Sequence, residues 1–280
     1  MKSQIVLFLI YILISLPFVS HGEGVVHLLI QESEYELARL ELYKQYYGAD
    51  SLAKQTILPI IAYTYQLEGN HLKAKTLYRR AIQNSSSLSA GHVDSIKTNL
   101  CYSLIELNEY GTAYGLFSTI DNNIALPVKK RFYILTAERN YLLSEELFST
   151  EEIISFNEFA NTLKKPRTAR LLSAVFPGLG QFYSSHYVDG LQALMVVGAG
   201  VIYSTVAYQA YQREKTGLVL PVFTMGVTAL FHYANILSGY RTAIYRNMRL
   251  KQDYLSQTGF DTHPLDLTPY LKLYHYQNKL

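Results

Sequence analysis

The chain has 280 residues, which is enough for two modest domains. Hydrophobic residues make up 49% of it and charged residues only 17%, below the roughly 25% typical of soluble proteins. The net charge of +3 is too small to indicate a nucleic-acid-binding protein. The single cysteine, Cys101, excludes an intrachain disulfide, and we interpret it as a packing residue rather than a nucleophile.

The first 22 residues have the pattern of a signal peptide. Met1-Lys2 precedes an apolar run over residues 5–19, and Ser20-His21-Gly22 then offers small residues for cleavage after Gly22. The alternative is an uncleaved anchor, although about 15 apolar residues are fewer than the ~20 that span a bilayer. In both cases the pattern predicts that the following domain is exported.

Residues 23–160 show helical periodicity and an internal repeat. Alanines anchor three copies at positions 38, 74 and 113, so the copies are 36 and 39 residues apart. Each copy predicts two antiparallel helices, because a small residue lets the helices approach and a large residue four positions later fills the adjacent space. The predicted packing positions are Ala38, Gly69, Ala74, Tyr78, Ala81, Ala113 and Phe117.

This repeat resembles the tetratricopeptide repeat, and residues 51–84 carry the resemblance most fully. The matching positions there are Leu58, Ile61, Ala62, Tyr65, Gly69, Ala74, Tyr78 and Ala81. The resemblance implies a stack of helical hairpins whose concave groove receives a peptide or a partner protein. The alternative is a compact helical spacer. Pro127 is predicted to open a last helix pair through residues 128–160.

Residues 161–251 predict a membrane module. Four basic residues precede a short apolar segment over residues 171–176, which favours a helix lying at the bilayer surface. Pro177-Gly178-Leu179-Gly180 then breaks that helix. Two apolar spans follow at about 190–211 and 218–240, each long enough to cross ~30 Å of hydrocarbon. The alternative is a buried hairpin of a soluble protein.

Small residues predict close packing of the two spans. They are Gly198, Gly200 and Ser204 in the first span and Gly226 and Ala229 in the second.

The stretch from Ala169 to Tyr183, with Tyr187 to Leu191 after it, resembles the family of two-transmembrane-helix domains. Members carry a Pro-Gly-x-Gly-x-x-Tyr turn, a short polar stretch and a glycine that opens the first span. Ser184-Ser185-His186 stands where members often have a glycine. The resemblance implies a membrane location and architecture, and no activity. The candidate motif positions are Pro177, Gly178, Gly180, Gln181, Tyr183, Asp189 and Gly190.

Polar residues at the predicted spans each allow two interpretations. Gln181, Tyr183 and Asp189 could bind a lipid headgroup, and Asp189 directly before Gly190 is placed to cap the first span. His232 lies within the second span, where it is either a functional ionisable group or a hydrogen-bonded packing residue.

The charges and the signal peptide predict opposite orientations. Four basic residues precede the hairpin, four follow it, and only Arg213 and Lys215 lie in its loop. The positive-inside rule therefore places both hairpin ends in the cytoplasm, whereas the signal peptide places residue 160 outside. A crossing by residues 171–188, or a first segment inserted in reverse, would reconcile the two. We give the signal peptide slightly more weight.

Residues 252–280 predict an irregular tail that lies on the membrane or on the repeat array. The sequence lacks a phosphate-binding glycine loop, a nucleophile elbow and histidines at metal-ligand spacing, so we expect no enzyme activity, cofactor or metal.

We therefore expect an all-α, membrane-anchored adaptor of the bacterial inner membrane whose periplasmic repeats bind a protein partner. The alternative is an oligomeric component, assembled through the hairpin, that transports a small molecule or a lipid.

Overall fold

The computed structural model describes residues 22–139, 147–260 and 264–268, so the predicted signal peptide lies outside it except for Gly22. All regular elements of the described residues are helices, as predicted. They are α1 (Gly22–Gln31), α2 (Tyr35–Gly48), α3 (Ser51–Leu67), α4 (His71–Gln83), α5 (Ala90–Glu106), α6 (Tyr110–Phe117), α7 (Asn122–Leu135), α8 (Thr150–Thr162), α9 (Pro166–Val175), α10 (Leu179–Tyr183), α11 (Tyr187–Gln212) and α12 (Val219–Thr258).

The chain divides into two compact units. Unit 1 contains the described residues up to Lys129 together with residues 264–268, and unit 2 runs from Lys130 to Phe260. The division falls within α7, about thirty residues before the boundary predicted at residue 160. Pro127 lies inside α7 instead of opening a helix pair, because Asn122 already begins that helix.

Unit 1 repeats one turn three times. Ser33, Gly69 and Asn108 each adopt a positive φ, of 61°, 84° and 60°, between two successive helices. The N–H of the next residue donates in each case to a carbonyl five residues earlier, at 2.8 Å. This pairing closes a helix and sets the direction of the next one. The three turns are 36 and 39 residues apart, the same intervals that separate the predicted alanines.

The predicted alanines lie in the buried helix packing of unit 1. Ala38, Ala74 and Ala113 are completely buried, each five residues after its turn residue. The large residues four positions later, including Tyr78 and Phe117, are buried too. Ala81 is also completely buried, one turn beyond Tyr78. Small and large side chains therefore alternate along the second helix of each hairpin, which allows close approach without leaving a void.

Cys101 packs inside the third hairpin. Its thiol Sγ lies 3.8 Å from the carbonyl oxygen of Ala113 on α6, and the residue is fully buried. Burial raises the pKa of the Cys101 thiol to about 12. A buried thiol with so high a pKa is unreactive, in agreement with its interpretation as a packing residue.

Ion pairs join successive hairpins of unit 1. Arg39 on α2 contacts the Glu68 carboxylate with two nitrogens at 3.0 Å, and Lys75 on α4 contacts Glu109 at 2.6 Å. In both pairs the base follows an anchor alanine and the acid lies at the turn of the next hairpin. The pairs therefore tie each hairpin to its successor.

Unit 2 contains two helices long and apolar enough to cross a membrane, α11 and the first part of α12. Only 22% and 11% of their most apolar windows are buried, whereas a core helix of a soluble protein would be mostly buried. Large apolar side chains of these helices, such as Ile202, Phe223 and Leu230, are exposed, which fits a lipid environment. We refer to α11 and residues 219–240 as the membrane hairpin.

The end of α12 differs from the sequence prediction. The helix continues without a break to Thr258, so residues 252–258 are helical and the predicted irregular tail begins too early. Gly259 then ends it with a φ of 70°. At 1.5 Å per residue its 40 residues extend about 60 Å, roughly twice the thickness of a bilayer core.

Candidate functional site

The predicted Pro-Gly-x-Gly motif lies in a buried polar network of unit 2. The Ser173 hydroxyl donates to Gln181 Oε1 at 3.1 Å, and Gln181 Nε2 donates to Asn235 Oδ1 at 3.1 Å. Asn235 Nδ2 returns to the Ser173 carbonyl oxygen at 3.2 Å. The Gly178 and Gly180 amides donate to Asn235 Oδ1 and Ser173 Oγ, respectively. The network therefore joins α9, α10 and α12 and satisfies its own polar groups.

Three glycines let these elements approach within backbone contact. A Cβ on Gly178 would overlap the Gly190 carbonyl oxygen, and a Cβ on Gly180 would overlap the Ala169 carbonyl oxygen. A Cβ on Gly239 would overlap the Ser173 hydroxyl. The motif glycines are therefore required for packing, since a side chain at any of the three would push the helices apart.

Helix α9 runs antiparallel along α12 from the basic end toward the hairpin interior. Lys164, just before α9, exchanges two hydrogen bonds with the Asn247 side chain, at 2.9 and 2.7 Å. Farther along α9, Ser173 contacts Asn235, and the Ala174 carbonyl oxygen lies 3.2 Å from His232 Nε2. These contacts follow α12 from Asn247 through Asn235 to His232, so the two helices pack along several turns.

After Pro177 the chain turns back to where it entered. Helix α10 brings the Tyr183 hydroxyl within 3.3 Å of the Lys165 amide, which donates to it. Arg246 also donates to the Thr162 carbonyl oxygen at 2.8 Å, so both flanks of the membrane hairpin lie at one end. Helices α9 and α10, which we call the re-entrant pair, therefore turn back at Pro177 and do not form one straight helix over residues 171–188.

Asp189 and Gly190 lie at the beginning of α11. The helix begins at Tyr187 with His186 as its N-cap, so Asp189 lies in the first turn and the predicted capping role is wrong. Its carboxylate faces the His186 ring at 3.4 Å and is exposed. Gly190 is buried against the Phe182 ring, where an added Cβ would lie 2.7 Å from the ring.

The small residues of the membrane hairpin only partly face its interior. Gly200 lies against Thr228, and the Ser204 and Thr228 hydroxyls are hydrogen-bonded at 3.1 Å. Gly198 and Gly226 have open space around them, so they do not form the predicted helix contact. A cleft of about 540 Å³ opens beside Ser204, Thr228 and His232 and is otherwise mainly apolar.

A second arrangement, in unit 1, places a short segment without helix or strand on the hairpin array. We call residues Pro264–Thr268 the tail segment. The Asn99 side chain on α5 accepts from the Leu265 amide at 2.8 Å and donates to the Leu265 carbonyl oxygen at 2.9 Å. Asn99 and Leu267 are fully buried. A single amide side chain thus satisfies both backbone groups of one tail residue, which is the requirement for burying extended backbone.

Two further residues of the array face the tail segment. His27 Nδ1 on α1 lies 3.2 Å from the Thr268 hydroxyl. The Asp266 carboxylate accepts from the amide and hydroxyl of Thr268, at 2.9 and 3.0 Å, and fixes its position. Burial and, secondarily, the nearby Asp266 carboxylate raise the pKa of Tyr63 on α3. The first helices of three successive hairpins therefore face the tail segment, and we call this contact surface the groove of unit 1.

No family model matches the chain. Searches of curated proteins and of solved structures also found no similar protein. The chemistry of the two sites must therefore be judged from their own geometry. Among the described residues, no group of three or more His, Cys, Asp or Glu side chains is placed to hold a metal ion.

The motif of unit 2 was predicted from the amino-acid sequence, but the groove of unit 1 was not. The sequence signal for the groove is the spacing of His27, Tyr63 and Asn99, which follow each other at intervals of 36 residues. The tail segment lies on the array, one of the two placements expected for it. Only the folded chain connects Asn99 with Leu265, which is 166 residues away.

Proposed function

We propose that this protein is a membrane-anchored adaptor of the bacterial envelope whose hairpin array binds an extended segment of a partner protein. The observation that carries the proposal is the pair of hydrogen bonds between Asn99 and the Leu265 backbone. Extended peptides bind proteins by pairing their main-chain groups, while pockets for side chains add specificity. The resemblances to tetratricopeptide repeats and to two-transmembrane-helix domains are consistent with this function.

The buried network around Gln181 supports an anchoring role for unit 2. Its polar groups bond to one another, and its glycines are occupied by backbone packing. We therefore assign the motif to the architecture of the membrane module rather than to catalysis. The exposed basic residues Lys165, Arg167 and Arg170 beside it are suited to contact lipid headgroups.

Affinity capture with the full-length chain in detergent tests the adaptor function. Asn99→Ala should abolish recovery of a specific envelope protein, because the main-chain groups of its bound segment lose their partners. Asn84→Ala makes the same change at an exposed position of unit 1 and should leave recovery unchanged. Equal capture by both variants would contradict binding at this groove.

We further propose that unit 1 lies in the periplasm, as the export pattern of residues 1–22 favours. The eight basic residues around the hairpin oppose this placement, and the re-entrant pair puts them all at one end. Cysteines introduced by Ser86→Cys and Lys215→Cys would decide between the two orientations, because both positions are exposed and lie in unit 1 and in the hairpin loop.

A membrane-impermeant maleimide should label Ser86→Cys in spheroplasts and Lys215→Cys only after lysis. The buried Cys101 thiol with its raised pKa should remain unlabelled, so each variant reports its own position. The reverse labelling pattern would place unit 1 in the cytoplasm.

The cleft beside Ser204 and His232 favours a second candidate function, an oligomeric component that transports a small molecule or a lipid. Gly226 faces open space and is available to a second copy. Gly226→Leu should then dissociate detergent-resistant oligomers, whereas Gly198→Leu provides a matched change on the other helix. Monomers in the wild-type protein would exclude this candidate.

A further inference from the structure

The groove of unit 1 has a defined chemistry. Asn99 pairs with the backbone of one residue, and two residues farther along a buried leucine, Leu267, enters the array. The next residue presents a hydroxyl to His27. Asp266, between them, is exposed and holds Thr268 through its own carboxylate. The array therefore contacts three features of the bound segment: the backbone amide and carbonyl of one residue, a buried leucine and a hydroxyl.

Equivalent helices supply the contacts. His27 and Tyr63 each lie six residues before their turn residue, and Asn99 lies nine before Asn108, one helical turn farther away. All three belong to the first helix of a hairpin. A row of side chains from successive first helices forms one continuous surface in a stack of hairpins. The tail segment thus follows the surface along which a longer peptide would lie.

We propose that the tail segment Pro264–Thr268 is an internal ligand that occupies the recognition groove of the array. A partner enters by presenting an extended segment of the same chemistry, with a leucine at the position of Leu267 and a serine or threonine after it. The inference rests on the proposed adaptor function for the partner, but occupancy by the tail segment can be measured without one.

The tail segment competes at a high effective concentration because it is part of the same chain. For a tethered segment that concentration is on the order of 1 mM, so an intermolecular Kd of about 0.1 mM would lower a competitor's apparent affinity about tenfold. Weak internal contacts are therefore sufficient to keep weak partners out. A partner binds when its own segment is tighter or locally concentrated.

Peptide binding to the full-length protein in detergent micelles tests this inference. The probe is a fluorescent peptide with the sequence of residues 263–269, His-Pro-Leu-Asp-Leu-Thr-Pro. A swap variant replaces Pro264–Thr268 by glycine and serine and keeps the length of the chain. We expect the swap variant to bind the peptide at least about tenfold more tightly than the wild type, as measured by fluorescence anisotropy.

Methylated peptides test the Asn99 contact without altering the protein. Methylation of the amide nitrogen at the Leu265 position removes the hydrogen that Asn99 accepts and retains every side chain. It should weaken binding to the swap variant about tenfold, the usual effect of a lost neutral hydrogen bond with an unsatisfied partner. Methylation at the exposed Asp266 position is the control and should have a much smaller effect.

The outcomes separate this inference from the adaptor function. Equal binding of the peptide to the wild type and the swap variant, or no binding to either, overturns the internal ligand. If the swap variant binds the peptide as expected but full-length protein captures no envelope protein, the internal ligand stands and the adaptor function fails. If the wild type and the swap variant capture the same envelope protein but neither binds the peptide, the adaptor function stands and the internal ligand fails.

Discussion

Gly69 in unit 1 and Gly178 in unit 2 have nearly the same φ angle but different surroundings. Their φ angles are 84° and 88°, and each lies between two helices. Around Gly69 an added Cβ would meet nothing within 4 Å, whereas on Gly178 it would overlap the Gly190 carbonyl oxygen. The first glycine therefore serves only the turn, and the second also serves helix packing.

This difference follows from how each unit gains stability. Unit 1 buries large apolar side chains such as Tyr78 and Ile61, so its stability comes mainly from the removal of apolar surface from water. In a bilayer, unit 2 would gain nothing by moving apolar side chains away from lipid. Helices α9, α10 and α12 associate through close contact at buried glycines and through the hydrogen-bonded Gln181–Asn235 network.

Substitution of the two glycines by alanine should show the largest contrast. Gly178→Ala is expected to cost about 3 kcal/mol or more, because backbone strain adds to overlap with a carbonyl that cannot move aside. Gly69→Ala should cost only about 1 kcal/mol, since it suffers the strain alone. Unfolding of the full-length chain in mixed micelles, followed by circular dichroism, would measure both.

Gly198→Ala is the matched control, because it introduces the same methyl group into open space. It should leave stability unchanged or slightly raised. Similar losses for the alanine variants of Gly69 and Gly178 would show that packing at the motif adds nothing to turn geometry.

Removal of a polar group from the network of unit 2 should have the next largest effect. Asn235→Leu leaves the Gly178 amide, the Gln181 side-chain amide and the Ser173 carbonyl without their present partner. We expect a loss of about 2–3 kcal/mol, the cost of unsatisfied buried polar groups. The same unfolding assay measures it, with Gln192→Leu on the exposed face of α11 as control. An unchanged Asn235→Leu protein would mean that the network contributes no stability.

Loss of an ion pair between hairpins should have a smaller effect that is confined to unit 1. Arg39→Met removes the cation that contacts Glu68, but this carboxylate is 37% exposed and water can solvate it. We therefore expect about 1 kcal/mol, decreasing with added salt. The exposed Arg170, whose charge lies in unit 2, provides the control substitution Arg170→Met. A loss that salt does not change would show that Arg39 acts through packing.

Mild acid should also destabilise unit 1, through a single buried histidine. Burial lowers the pKa of His92 from 6.5 to about 4, so the folded state favours the neutral ring. The unfolded state takes up a proton at a higher pH, and the stabilisation present above pH 6.5 is therefore lost as the pH falls toward 4. His92→Gln should reduce this acid sensitivity between pH 6.5 and 5, measured as the shift in Tm, while leaving the slope unchanged above pH 7.

An acid profile that is the same in His92→Gln and wild type would mean that His92 keeps its ordinary pKa in the folded protein. His186→Gln is a suitable control, because that histidine is exposed at the start of α11.

The sequence predicted local features better than distant ones, and the reason is the range of the interactions. Ala38, Ala74 and Ala113 were found because each helix repeats its pattern every few residues, and the two apolar spans because composition alone defines them. The N-cap of α11 was expected at Asp189 but lies at His186, three residues earlier. A helix boundary depends on packing, here against Phe182 and Gly178, as well as on local sequence.

An all-helical chain, with repeated hairpins in one part and an apolar helix pair in the other, follows from the amino-acid sequence. Helical periodicity and the length of apolar runs are local properties, so they are visible without a fold. Two features emerge only in the folded chain: α9 and α10 turn back at one end of the membrane hairpin, and Asn99 binds the backbone of Leu265. Both features depend on hydrogen bonds between residues that are separated in the chain, and no local sequence pattern indicates which residues will pair.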